Sequence, residues 1–74
     1  MAKPISGEKV IKVLCKEFGF SFTSQKGSHI KLEKMGKSGK ITTIIPNYRE
    51  LSPGTLRGIL KLAQVDEKEF RKNL

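Results

Sequence analysis

His29 is the one histidine of this 74-residue chain, and it stands within Lys26-Gly27-Ser28-His29-Ile30-Lys31-Leu32. An imidazole exchanges a proton near neutral pH, and lysines to either side attract a polyanion. Together these residue types fit the cleavage of RNA. The imidazole draws the proton from a ribose 2′-hydroxyl, the oxyanion attacks the adjacent phosphate, and lysines neutralise the charge that gathers there. General-base help of this kind is worth roughly 10²–10⁴-fold. DNA lacks the hydroxyl, so the chemistry selects RNA. Gly27 and Ser28 let a ligand backbone approach closely. Lys26, Lys31 and Lys40 are the candidates for holding phosphate. The same pattern also accommodates a solvated strand histidine with no chemical task.

Metal-free cleavage of RNA needs an acid as well as a base, and no second histidine exists. Tyr48, Ser28, a lysine or water must serve. Tyr48 lies in Pro46-Asn47-Tyr48-Arg49, where it can donate a proton or stack on a base, or sit as an ordinary loop tyrosine. Tyr48 and Arg49 border the candidate site.

The net charge of +8 supports an anionic partner, and its distribution is more telling than its size. Residues 1–25 carry +2, residues 26–57 carry +5 and residues 58–74 carry +1. The excess therefore surrounds His29 and is not a tail. Nucleic acid is the leading partner, and an acidic protein suits the same field. Seventy-four residues make one domain, 1–74, with no room for a cofactor cradle. Lone Cys15 cannot form an internal disulfide, and its apolar helical neighbours predict a buried, inert thiol. Met-Ala-Lys-Pro opens the chain without an apolar leader, and no run is long enough to span a bilayer. A cytoplasmic protein is expected, with no membrane contact and no small-molecule cofactor.

The elements that must position these groups follow from capping and periodicity. Ser6 predicts a helix start, with Glu8 in the first turn and Ile5 and Val10 at staple positions. Val10, Ile11, Leu14 and Phe18 keep helical spacing, and Gly19 is the left-handed residue that ends the helix. Phe20-Ser21-Phe22-Thr23 alternates as a half-buried strand does, and Gln25-Lys26-Gly27-Ser28 reads as a turn. His29-Ile30-Lys31-Leu32-Glu33-Lys34 alternates again. Ile30 and Leu32 face the core, so His29, Lys31 and Glu33 face solvent. Met35 to Gly39 is a hairpin loop, and Ile41 to Ile45 is a third strand stopped by Pro46. The inward face of that strand is ambiguous, because Ile44 alternates against Ile41 and Ile45. Ser52 and Pro53 start a second helix carrying Leu56, Ile59, Leu60 and Ala63. Asp66 with Glu69 forms the capping box of a short last helix, with Val65 and Phe70 as its staple. The expected class is α+β, an α-β-β-β-α chain with a three-stranded antiparallel sheet and a short C-terminal helix.

Other motifs carry weaker signals. Gly36-Lys37-Ser38-Gly39-Lys40 has the look of a phosphate loop, but the full spacing puts Lys31 where glycine is required, and no strand-to-helix turn follows. The chain offers no metal-ligand cluster. The start of the second helix could hold a phosphate, although simple capping accounts for its residues. Leu60 to Glu67 resembles a helix-turn-helix junction, the basis for a DNA-binding alternative, but Asp66, Glu67 and Glu69 would face phosphates.

Ser6-Gly7, Gly27-Ser28-His29, Ile45-Pro46-Asn47 and Leu51-Ser52-Pro53-Gly54-Thr55-Leu56-Arg57-Gly58-Ile59-Leu60, in this order, resemble the HicA toxins of type II toxin–antitoxin systems. The likeness extends through Glu69-Phe70. It implies a fold similar to the double-stranded-RNA-binding domain and a metal-independent endoribonuclease that cleaves mRNA and arrests growth. The family's catalytic histidine maps onto His29. The implied partner is a HicB-like antitoxin that covers the site. Many members carry a histidine where this chain has Tyr48. A non-catalytic RNA-binding module on the same fold is the main alternative.

Overall fold

A computed structural model describes residues 4–74. The opening Met-Ala-Lys, read above for its lack of a leader, lies outside the described residues. Helix α1 spans Gly7–Glu17. Ser6 caps it as expected, its Oγ accepting the Lys9 N–H at 3.0 Å, and Val10, Val13 and Leu14 are buried. Gly19 takes a φ of 76° just past the helix end. Lys34 then anchors the turn from the sheet. Its ammonium donates to the Phe18 carbonyl at 3.0 Å and lies 5.0 Å from the Phe20 ring centroid, where a cation offsets the negative helix end.

Three strands follow, β1 (Ser21–Lys26), β2 (His29–Gly36) and β3 (Gly39–Pro46), forming an antiparallel sheet in the order β1-β2-β3. The anticipated β1–β2 turn shortens to Gly27-Ser28, because Gln25 and Lys26 join the strand. Only Gly27 of that pair takes a positive φ, 60°, which is the pattern of a type II′ hairpin turn. The second hairpin likewise tightens to Lys37-Ser38.

Strand β1 departs from its half-buried reading, since every one of its residues is exposed. Phe20 is buried ahead of the strand, whereas Phe22 remains 59% exposed. Phe22 pairs with buried Leu32 and so shares its face, but β1 is an edge strand whose outer side no helix covers. A bulge at Thr23 shifts the pairing between Phe22 and Ser24.

The ambiguity in β3 is resolved by Thr43 and Ile45, which are buried together. The Thr43 hydroxyl donates to the Ile59 carbonyl at 2.8 Å, so a polar residue enters the core with its partner supplied. Ile44 consequently faces the other way and is 46% exposed.

Helix α2 runs Pro53–Ala63, capped by Ser52 Oγ accepting the Thr55 N–H at 3.1 Å. It ends at Gln64, a left-handed residue with φ 57° that is not glycine. Helix α3, Glu67–Arg71, is capped by Asp66 accepting the Glu69 N–H at 3.2 Å. Glu69 turns its carboxylate to Lys72 at 3.2 Å, so only half of the expected capping box forms. Val10, Leu14, Ile30, Leu32, Ile45, Leu56, Leu60 and Phe70 are among the residues that close one core between the helices and one face of the sheet. This α-β-β-β-α arrangement with its short last helix is the double-stranded-RNA-binding-domain-like fold.

Candidate active site

The opposite face of the sheet has no helix over it, and strand register fixes what it displays. Directly paired residues share a face. Lys26, His29 and Pro46 form one row across the three strands, and Ser24, Lys31 and Ile44 form the next. Ser21, Glu33 and Thr42 follow, then Met35 and Lys40. His29 begins the central strand, is exposed, and has the Lys26 side chain beside it on the same face.

A loop completes the site. Its backbone is fixed from three directions: the Asn47 N–H donates to the Ser28 carbonyl at 2.7 Å, the Gly7 N–H donates to the Tyr48 carbonyl at 2.8 Å, and the Leu51 N–H donates to the Ile5 carbonyl at 2.8 Å. Gly7 permits this closeness. A Cβ there would collide with the Pro46 carbonyl oxygen and lie 2.9 Å from the Asn47 Cα. So held, the loop sets the Tyr48 ring edge-on to His29, with centroids 6.4 Å apart and planes at 76°. Tyr48 is 51% exposed, so the residue is accessible to a ligand.

The structure thus brings Lys26, Gly27, Ser28, His29 and Tyr48 together, with Lys31 one row away. Lys40 is separate. Its strand partner Met35 is six residues along β2 from His29, roughly 20 Å at strand spacing. There the Lys40 ammonium is 3.7 Å from the Glu33 carboxylate. Arg49 borders Tyr48 in sequence but lines a hollow of about 340 Å³ with Ser6, Lys9 and Leu74.

A family model described as the HicA toxin of bacterial toxin–antitoxin matches residues 7–65. This chain belongs to the HicA toxin family. No curated protein matches it. In this HicA chain the matched stretch begins at the glycine packed against the loop, runs through His29 and Tyr48, and closes just beyond α2.

Among the described residues, no group of three or more His, Cys, Asp or Glu is placed to hold a metal ion. No described helix is long and apolar enough to cross a membrane. Cys15 is half-buried, and desolvation raises its thiol pKa above the ordinary value. It lies on α1 among core-packed side chains and outside the rows that carry His29.

Two groups of residues escaped sequence reasoning. Gly7 enters the sequence reading only through the Ser6-Gly7 pair of the family resemblance; its local pattern is that of an ordinary first-turn glycine, because its constraint comes from a loop about forty residues away. Ile44 and Met35 stand on the open face, and the signal for Ile44 was its alternation against Ile41 and Ile45.

Proposed function

We propose that this HicA chain is the toxin of a toxin–antitoxin pair and acts as a metal-independent endoribonuclease on mRNA, folded as a single unit over 1–74. The observation that carries the reading is His29 exposed on the helix-free face, flanked by Lys26 and met edge-on by the Tyr48 ring. His29 takes the proton from a ribose 2′-hydroxyl. The 2′-oxygen attacks the adjacent phosphorus while the bond to the 5′-oxygen breaks. Tyr48 gives its phenolic proton to that leaving oxygen, and water returns the proton from imidazolium to phenolate. Products are a 2′,3′-cyclic phosphate and a 5′-hydroxyl end. Lys26 and Lys31 stabilise the charge on the phosphate, and the Gly27-Ser28 turn gives the RNA backbone access. Lys40 and Arg49 contact RNA farther from the scissile bond. A HicB-like antitoxin occupies the same cationic face and blocks it.

The test is incubation of the purified chain with RNA in EDTA, beside His29→Ala. The parent is expected to cut and leave cyclic phosphate ends, His29→Ala to bind without cutting, and a substrate with 2′-deoxyribose at the scissile position to survive. Equal binding without cleavage by either protein would establish a non-catalytic RNA-binding module instead. Preference for a DNA duplex over RNA would favour the helix-turn-helix alternative.

A further inference from the structure

The open sheet face carries more than the residues around His29. Strand register places an apolar side chain beside a lysine twice: Ile44 next to Lys31, and Met35 next to Lys40. Ile44 is 46% exposed and Met35 is 75% exposed. These two pairs lie in rows separated by that of Glu33 and Thr42, so they are two platforms about 14 Å apart along the strand and not one greasy patch. A protein partner's apolar plug would call for one contiguous surface. A repeating apolar-plus-cationic pair instead matches a polymer that alternates flat bases with phosphates.

We propose that the open face of the sheet is a track for unpaired RNA, with Ile44 and Met35 as base platforms and Lys31 and Lys40 as phosphate contacts. The track continues from His29 to the β2–β3 hairpin, and it rests on the ribonuclease reading for where the cut falls and for the second of two arguments that the strand is unpaired. Two arguments make the strand unpaired. Side chains on a flat sheet meet base planes only when the bases are splayed out of a helix. Cleavage by a 2′-hydroxyl also requires that oxygen to line up behind the leaving 5′-oxygen, and a regular duplex holds it out of line. Charge selects RNA as the occupant: Lys26, Lys31 and Lys40 point from this face, against the single carboxylate of Glu33. That carboxylate is already engaged by Lys40 at 3.7 Å, so the ion pair competes with phosphate for the ammonium.

The experiment uses the full chain with His29→Ala, which prevents turnover, and a fluorescein-labelled 12-nucleotide RNA, either unpaired or annealed to its complement. Anisotropy is read across a salt series. Unpaired RNA is expected to bind more tightly than duplex. Ile44→Thr and Met35→Gln should each weaken unpaired binding about fivefold, without changing the slope of log Kd against log salt. Lys31→Gln should lower that slope by about 0.7, the signature of one lost phosphate contact to a single strand. Glu33→Gln should tighten binding about threefold by releasing Lys40. Both apolar side chains are exposed, and matched thermal melts of the two variants report on folding. Unchanged binding by Ile44→Thr and Met35→Gln, or duplex binding as tight as unpaired, overturns the track. If the parent cuts RNA while those variants bind normally, the track falls and the nuclease stands. If the variants weaken binding while the parent cuts nothing, the nuclease falls and the track stands.

Discussion

Gly7→Ala and Gly58→Ala should move stability in opposite directions, although both replace a glycine in a helix. Alanine normally gains up to ~1 kcal/mol over glycine in a helix interior. At Gly58, an exposed position within α2, an added Cβ meets nothing within 4 Å, so Gly58→Ala should raise the melting temperature by roughly 3–6 °C, from about 0.5–1 kcal/mol. At Gly7 the same methyl would be driven into the Pro46 carbonyl oxygen and lie 2.9 Å from the Asn47 Cα. Both neighbours are backbone, and hydrogen bonds to Ser28 and Tyr48 anchor the loop that carries them. Overpacking of this kind costs about 1–3 kcal/mol. Subtracting a propensity gain of about 0.5–1 kcal/mol leaves a net loss of up to about 2.5 kcal/mol, a fall of as much as roughly 10–20 °C. Differential scanning calorimetry on the two variants decides it. If Gly7→Ala melts as high as Gly58→Ala, α1 does not press on the 46–48 loop and the account of how Tyr48 is held fails.

Three further outcomes follow from the geometry. Tyr48→Phe should slow RNA cleavage about 10²-fold with RNA affinity unchanged, and Tyr48→His should restore much of the rate; an undiminished Tyr48→Phe removes the phenol from proton transfer. Thr43→Val keeps the shape but loses the buried hydroxyl's bond to the Ile59 carbonyl, so urea denaturation should show a loss of about 1 kcal/mol. Burial raises the Cys15 thiol pKa, so less thiolate is present at a given pH than for a free cysteine. Iodoacetamide at pH 8 should therefore label it more slowly than free cysteine, its rate should climb only at higher pH, and urea should abolish the difference; labelling as fast as free cysteine would contradict its burial.

Local chemistry carried most of the architecture. Ser6, Ser52 and Asp66 each accept the N–H three residues on, as single-residue capping preferences predict. Period two placed His29 on the open face because Ile30 and Leu32 had to turn inward. The misreadings concern what helices cover and what turns require. Phe22 has the spacing of a core residue, yet coverage of an edge strand depends on how far the helices reach, which no local pattern encodes. Gln25 and Lys26 are ordinary turn residues by type, but a two-residue turn built on Gly27 leaves them free to pair. Lys40 belonged to the phosphate group by charge alone, and only the register reveals its distance from His29. Gly7 and Tyr48 meet through a loop closed by tertiary hydrogen bonds, a relation with no sequence period at all.

His29 owes its outward aim to the pairing of β2 with both neighbours. A slip of one residue would send the imidazole toward the helices and turn Ile30 and Leu32 into the water. The force that keeps oil from water thus also points the imidazole, with no separate device to hold it. Mutations that loosen β2 should consequently cost fold and toxicity together, and survivors that lose toxicity while remaining well folded should cluster on the bare face or in the 46–48 loop.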